Sequence, residues 1–278
     1  MPAFSLRKIG WGAVRTMAQA IIYVGRDGPW LDQLKNCGFR ILFKPSADDV
    51  EAPDGVDLID DLQSVWEILE PPRFYMIDCA SGEPVDQLVD QSYVFMEPGD
   101  CVLDTTVSYW SDTLRRYRRM RHRALYYIDL AMAGPMPGGT LLAGGEPRGI
   151  DLAADVLAQL AKPGDLLKTG YASSAHFAVT VLDAVANARD QALGEAQQML
   201  EAFPLEISSD ELAGLGRSAD HQAQHRQHWL AEDAAHLQAP TPMLISAAMA
   251  QIAEALDNHE AYTPLPKVGP FVDPEKIL

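Results

Sequence analysis

Apolar runs of strand length alternate with segments of helical spacing over the first 165 residues. The segments between the runs carry apolar residues at three- and four-residue intervals, as in DDLQSVWEILE at 60–70. This alternation is typical of a parallel sheet wrapped by helices, so the predicted fold class is α/β. The runs predict six strands, at 20–25, 39–44, 73–80, 100–106, 124–132 and 139–146.

The pattern becomes helical in the second half of the chain. From Ala172 to Phe203 the sequence is almost free of Pro and Gly, which predicts one long helix. Further helices are predicted later, one of them capped by Thr241 with Pro242 at its first position. The predicted domains are an N-terminal arm at 1–19, a Rossmann-like domain at 20–165, and an all-α domain at 166–278 built on the long interdomain helix.

Composition narrows the classes of protein. A net charge of -17 and a pI near 4.7 disfavour binding to nucleic acid or to an anionic membrane. No apolar run reaches the roughly 20 residues of a membrane span, and the basic start MPAFSLRKIGWGAVRTM lacks the continuous apolar core of a signal peptide. Cys37, Cys79 and Cys101 show neither disulfide nor metal spacing, so a cytoplasmic protein is predicted.

The stretch AIIYVGRDGPWLDQL, residues 20–34, has the form of a strand, a tight turn and a helix start. Gly25 and Gly28 stand at the second and third positions of the dinucleotide fingerprint G-x-G-x-x-G, but Tyr23 occupies the first. One hypothesis is a nucleotide site at Gly25, Arg26 and Gly28. The alternative, equally favoured, is a turn that kept its glycines without binding a nucleotide.

The end of the second predicted strand bears on which nucleotide would bind. Nineteen residues after Gly25, where an NAD-binding domain usually carries Asp or Glu, this chain has Lys44, followed by Pro45 and Ser46. A lysine there suits a 2′-phosphate, so NADP is favoured over NAD. Whether any cofactor binds stays open at this point.

Four further segments extend the comparison: EPPRFYMIDCASGEPVDQLVDQ, EPGDCVLDTTVSYWSDTLRR, YYIDLAMAGPMPGGTLLAGGE and SSAHFAVTVLDAVANARDQALGEAQ. With WLAEDAAHLQAPTPMLISAAMAQ they resemble, in order and spacing, the 6-phosphogluconate dehydrogenase family of the β-hydroxyacid dehydrogenases, in particular its short bacterial members. The resemblance covers residues 20–256. It implies a homodimer paired through helices, and the apolar residues of the long helix fit a packed stripe: Phe177, Val181, Leu182 and Val185.

The resemblance also implies a reaction chemistry. In that family a lysine on the long helix is general base to a substrate hydroxyl, and a glutamate two turns on is the acid. The matching positions here are Val179 and Ala186, and the helix asparagine is Asp183. The serine-glycine-glycine turn reads Ala133-Gly134-Pro135, and of an asparagine–serine pair only Ser108 remains. With base, acid and substrate contacts changed together, the family's reaction is not expected to run.

Three polar side chains are candidates for another proton transfer, namely His176, Asp183 and Ser108. The favoured alternative for His176 is packing or capping at the start of the long helix. Two functions are therefore carried forward. The first is a degenerate family member that serves as a binding or scaffolding subunit, with a protein partner or a small phosphorylated ligand. The second is an atypical NADP-dependent oxidoreductase acting on a small hydroxy acid or sugar-phosphate-like substrate.

The segment RRYRRMRHR at 115–123 places six arginines in nine residues. It could receive phosphate, RNA or an acidic partner, but the favoured interpretation is a solvated helix face paired with the chain's own carboxylates.

A histidine stripe lies further along the chain. His221, His225, His228 and Glu232 share one predicted helix face, where neighbouring imidazoles can hold zinc or nickel. A polar surface stripe is the favoured interpretation, and no metal is predicted.

Overall fold

The computed structural model describes residues 19–46, 52–203, 238–247 and 249. The strands are β1 (Ala20–Gly25), β2 (Arg40–Pro45), β3 (Asp57–Leu58), β4 (Phe74–Asp78), β5 (Cys101–Asp104), β6 (Tyr126–Ala133), β7 (Thr140–Gly144) and β8 (Asp165–Gly170). The helices are α1 (Pro29–Asn36), α2 (Glu83–Phe95), α3 (Trp110–Arg121), α4 (Pro147–Leu152), α5 (Ala154–Leu160) and α6 (Ser174–Glu201).

The strands form one sheet in the order β3-β2-β1-β4-β5-β6-β7-β8. From β3 to β6 neighbouring strands are parallel, whereas β7 is antiparallel to β6 and parallel to β8. The chain moves outward from β1 in one direction and then returns to add β4 on the other side. The sheet therefore has a topological switch point between β1 and β4, which is where open α/β sheets bind ligands.

Both faces of the sheet are covered, and β1 shows how its sequence permits this. Ile21 and Tyr23 point into the core on one face, and Ile22 and Val24 into the core on the other. A strand that is buried on both faces has a continuous run of apolar residues, and the sequence of β1 contains such a run.

The predicted α/β fold class is confirmed, and all six predicted strands are present with ends shifted by at most a few residues. The prediction of a helix at 60–70 is wrong, because only a short 3₁₀ turn forms there, at Ser64–Glu67. Asp61 accepts the backbone N–H of Ser64 at 2.7 Å and so caps this one short turn. Pro71 and Pro72 then end the segment.

The described chain divides into two compact units, Met1–Val181 and Leu182–Leu278. In the first, the sheet continues through β8 to Gly170, past the predicted domain end at 165. In the second, a helical segment begins at Pro242, as predicted. Its cap was predicted wrongly, because the Thr241 hydroxyl has no hydrogen-bond partner among the described residues. Glu195 instead accepts the N–H groups of Met243 and Leu244, at 2.7 and 3.0 Å.

Candidate functional site

The glycine turn lies between β1 and α1, at the switch point of the sheet. The Tyr23 ring is completely buried beneath the turn and stacks on Phe43, with 5.9 Å between the ring centroids. Its hydroxyl donates to Asp78 Oδ2 at 2.6 Å, and the Arg26 carbonyl lies 3.2 Å away as a second acceptor. Tyr23 therefore holds the turn from the core side and leaves its outer side uncovered.

The two glycines of the turn, Gly25 and Gly28, differ in the space around them. A Cβ on Gly25 would lie 2.7 Å from the Tyr23 ring and 2.8 Å from the Asp78 carbonyl, so the packing of this chain already requires glycine there. A Cβ on Gly28 would meet no atom closer than 4.0 Å, so the space beside Gly28 is open. Only Gly28 therefore has the open surroundings that a ligand would need.

Within the described part of the chain, the backbone N–H groups of the turn are free to donate to a ligand. The N–H groups of Arg26, Asp27 and Gly28 donate no hydrogen bond there, and α1 begins with Pro29 and no side-chain cap. Such a helix terminus is suited to a phosphate group. The donors and the space beside Gly28 therefore fit the pyrophosphate of a dinucleotide.

The local charge is mixed. Arg26 and Asp27 are exposed, and Asp78 is partly buried beside them. Burial raises the pKa of the Asp78 carboxyl, although the Tyr23 hydrogen bond and the Arg26 charge act in the opposite direction. Burial also raises the pKa of Tyr23 far above its ordinary value, which keeps it a donor.

Lys44 and Ser46 lie next to the turn. In the parallel register Gly25 is opposite Pro45, and the Ser46 N–H donates to the Gly25 carbonyl at 2.9 Å. The carboxyl end of β2 thus places a partly exposed lysine at the edge where the ribose of a nucleotide would lie. The structure brings the predicted nucleotide residues of β1 and β2 together.

A buried polar network follows β5 and includes Ser108. Arg116, 2% exposed, donates to Ser108 Oγ at 2.8 Å, to Asp86 Oδ1 at 2.9 Å and to the Gly82 carbonyl at 3.0 Å. Ser108 in turn lies 2.6 Å from Thr106 Oγ1. Ser108 is therefore engaged in joining α3 to the loop after β5.

The same network ends on a buried carboxylate. Thr106 donates to Asp104 Oδ1 through both its N–H, at 2.9 Å, and its hydroxyl, at 2.6 Å. The Tyr127 hydroxyl donates to Asp104 Oδ2 at 2.5 Å. Because the Thr106 proton goes to Asp104, the proton between Thr106 and Ser108 comes from Ser108. Every hydroxyl of this group therefore has a partner.

His176 is 2% exposed and hydrogen-bonded at both ring nitrogens. Nε2 lies 3.3 Å from the Asp104 carbonyl and Nδ1 lies 2.8 Å from Thr113 Oγ1. A carbonyl only accepts, so in the neutral ring Nε2 carries the proton and Nδ1 accepts from Thr113. This arrangement positions the start of α6 against β5 and α3.

A second carboxylate holds the start of α6. Asp129 on β6 accepts the N–H groups of Ser173 at 2.6 Å, Ala175 at 2.8 Å and His176 at 3.0 Å. Burial raises the pKa of Asp129, while the hydrogen bonds from the N–H groups of His176 and Ser173 lower it. The backbone N–H groups at the start of α6, beside the candidate His176, are thus already hydrogen-bonded within the protein.

The positions matched to the family's base and acid carry no titratable group. Val179 is half-buried and packs on the apolar cluster that includes Ala131 and Leu142. Ala186 lies on α6 and is exposed, as is the candidate Asp183.

Five of the six arginines of the 115–123 segment bond within the chain. Arg115 and Arg116 pair with Asp86, Arg119 with Asp90, and Arg121 lies 3.8 Å from Glu146. Arg123 donates to backbone carbonyls at the end of α2 and lies over the Tyr93 ring. The interpretation as a helix face paired with the chain's own acceptors is therefore supported.

Three further questions raised by the sequence concern the histidine stripe, a metal site and a membrane span. The stripe of His221, His225, His228 and Glu232 lies outside the described residues. Within the described ranges, no group of three or more His, Cys, Asp or Glu side chains could hold a metal ion. No helix in the described part of the chain is both long and apolar enough to cross a bilayer.

Sequence reasoning missed three carboxylates around the candidate site: Asp78, Asp104 and Asp129. An acidic residue was a visible signal for all three carboxylates, at the end of an apolar strand in FYMID and CVLD and within one in YYIDLAMA. Apart from Thr106 beside Asp104, the partners named above lie 23 to 55 residues away, and spacing along the chain does not indicate such pairs.

An open sheet that reverses its strand order beside β1, with a glycine turn leading into a helix there, defines a protein of the dinucleotide-binding α/β class. The model of the NAD-binding domain of 6-phosphogluconate dehydrogenase matches residues 44–181. This part of the chain is therefore a domain of the 6-phosphogluconate dehydrogenase family, which the resemblance of the sequence segments predicted. The matched range begins at Lys44, after the glycine turn.

Curated relatives match the chain in part. The decarboxylating 6-phosphogluconate dehydrogenase of Bacillus licheniformis is 27% identical over 163 residues, which are 56% of this chain and 35% of that enzyme. The NAD(+)-dependent decarboxylating enzyme of Bacillus subtilis (strain 168) is 26% identical with the same coverage. The matched part thus spans about a third of the length of either relative.

Solved structures match over most of the chain. The 3-hydroxyisobutyrate dehydrogenase of Mycobacterium tuberculosis, solved with L-serine, has a TM-score of 0.61 at 17% identity, over 87% of this chain and 95% of that one. A variant imine reductase of Myxococcus stipitatus in complex with NAD+ has a TM-score of 0.66 at 14% identity, over 90% and 97%. At these identities the likeness shows the fold alone.

Proposed function

We propose that this protein is a non-catalytic member of the family, which uses the dehydrogenase fold as a binding or scaffolding subunit. The observation that carries the proposal is Val179. Its side chain has no atom that accepts a proton, and it packs on an apolar cluster where the resemblance places the family's lysine. The family's hydride transfer requires that a hydroxyl proton be removed as the hydride leaves.

The neighbouring polar groups do not supply a free substitute. His176 and Ser108 are buried, and each is hydrogen-bonded to neighbouring groups. Asp183 is exposed, and an exposed carboxylate is a weak base for an alcohol. The contacts favour a structural role for His176 and Ser108, and the exposure of Asp183 also argues against an atypical oxidoreductase.

The proposal includes NADP(H) as the ligand of the glycine turn. The N–H groups at Arg26 and Gly28 would hold the pyrophosphate, and Lys44 would face the 2′-phosphate. When bound, the nicotinamide supplies a hydride donor or acceptor. In this account the nucleotide serves as a bound ligand that stabilises the domain.

Titration of the purified full chain with NADPH and NADH, together with assays of NADP+ and NAD+ reduction, tests the proposal. The substrates to be tried are those named for the relatives, 6-phosphogluconate and 3-hydroxyisobutyrate. Saturable NADPH binding without turnover is the expected result. Turnover would establish the oxidoreductase instead, and failure of both nucleotides to bind would remove NADP(H) from the proposal.

A further inference from the structure

A cavity lies at the edge of the sheet opposite the glycine turn. It has a volume of about 490 Å³ and is bordered by the start of β6 and by the segments that follow β7 and β8. Because β7 and β8 run against the rest of the sheet, their carboxyl ends reach this edge. Small-molecule sites in proteins commonly have volumes of about 300–1,000 Å³.

Two guanidinium groups border this cavity. Arg121, at the end of α3, is 64% exposed, and its only ion pair in the described ranges is the 3.8 Å approach to Glu146. Arg148, near the start of α4, is exposed and has no hydrogen bond or ion pair within the described part of the chain. Both side chains therefore have donors available for a ligand. Two neighbouring arginines suit a phosphate group, whose oxygens share two negative charges.

The third charged group of the cavity is already partly engaged. The Tyr117 hydroxyl donates to Glu146 Oε2 at 2.9 Å, and Tyr171 lies 2.7 Å from Tyr117. Since the Tyr117 proton goes to Glu146, Tyr171 donates to Tyr117. The other carboxylate oxygen, Oε1, accepts no hydrogen bond from the described residues, so it can accept one from a ligand hydroxyl.

The rest of the lining is apolar or aromatic, with Leu125, Tyr126 and Pro147. We infer that this cavity is a binding site for a small phosphate monoester that carries hydroxyl groups. Arg121 and Arg148 hold its phosphate, and Glu146 accepts from a hydroxyl. The site is separate from the glycine turn, and the inference is independent of the proposed function.

The test uses ribose 5-phosphate as the probe and ribose as the matched compound without phosphate, titrated calorimetrically against the full chain. Ribose 5-phosphate is expected to bind at least about tenfold more tightly than ribose. The double variant R121Q/R148Q should lose about tenfold or more in affinity for ribose 5-phosphate. R118Q is the control, because Arg118 lies on the same helix, has no partner in the described ranges and does not line the cavity.

Three results would overturn the inference. These are no detectable binding of ribose 5-phosphate, equal affinity in the wild type and the double variant, or an equal loss in R118Q, which would show a general charge effect. Thermal unfolding of each variant checks that the chain is folded. Both cavity arginines are exposed, so their replacement should leave the midpoint of thermal unfolding unchanged.

Discussion

At the scale of single residues, the departure at Tyr23 could be recognised from the sequence, but its consequence could not. The fingerprint showed that a glycine had been replaced. It did not show that the phenol would be buried and would reach Asp78, 55 residues away. That partner follows from the parallel register of β1 and β4, which only the folded sheet defines.

Tyr23→Phe tests the role of this phenol. The change removes a hydrogen bond to a partly buried carboxylate, so the free energy of unfolding should fall by about 1.5–3 kcal/mol in urea denaturation. Tyr109→Phe is the matched control, because Tyr109 is 63% exposed and its hydroxyl has no hydrogen bond among the described residues. A loss no larger than that of the control would contradict this role.

Because the pKa of Asp78 is shifted in the folded state, the stability loss caused by Tyr23→Phe should depend on pH. The folded pKa is raised, so the folded state holds its proton to higher pH than the unfolded state does. The contribution of Asp78 is therefore most favourable below its unfolded pKa of about 3.9 and declines as the pH rises through the folded value. Tyr23→Phe removes a bond that favours the ionised form, so its deficit against wild type should grow from pH 4 to pH 7.

Lys44→Ala tests which nucleotide the turn prefers. Loss of the lysine should weaken NADPH binding about tenfold and leave NADH binding unchanged, because only NADPH carries the 2′-phosphate. Calorimetric titration of both nucleotides measures this. Lys168→Ala, a change at an exposed position of β8, is the control. Equal losses for NADPH and NADH would argue against a 2′-phosphate contact.

At the scale of elements, strands buried on both faces were predictable because their apolar runs are continuous. The exposed strand β8 was missed, since its sequence DLLKTG has no such run. Most arginines of α3 pair within the chain, as the sequence suggested, but Arg116 is buried and does not lie on a solvated face. Their partners on α2 could not be assigned before the two helices were packed together.

Arg116→Met tests this helix pairing. The change leaves Ser108 and the Gly82 carbonyl without their donor, so we expect a loss of about 2–4 kcal/mol in unfolding free energy. Arg118→Met, on the exposed side of the same helix, should stay within about 0.5 kcal/mol of wild type. Similar losses in the two variants would show that the Arg116 contacts contribute little.

At the scale of the whole molecule, the resemblance to the family followed from segments distributed along the chain, and the family model matches residues 44–181. The proposed absence of catalysis depends on several positions taken together and not on any one segment. The four apolar side chains of the predicted stripe on α6 are between 46% and 58% exposed in the single chain: Phe177, Val181, Leu182 and Val185. That exposure favours the homodimer, which stays a prediction.

The double variant V181D/V185D tests the predicted homodimer. Light scattering after size exclusion should give twice the chain mass for the wild type and the single mass for the variant, since carboxylates are costly in an apolar interface. Circular dichroism should show equal helix content in both. A monomeric wild type would contradict the prediction.

The central claim is that the fold of the family is present and its proton-transfer chemistry is absent. The most direct measurement is the initial rate of NADP+ reduction by the full chain with 6-phosphogluconate, followed by nicotinamide absorbance beside an active decarboxylating relative. The account predicts a rate no higher than that of a protein-free blank. A rate comparable to the relative's, obtained with Val179 in place, would contradict it.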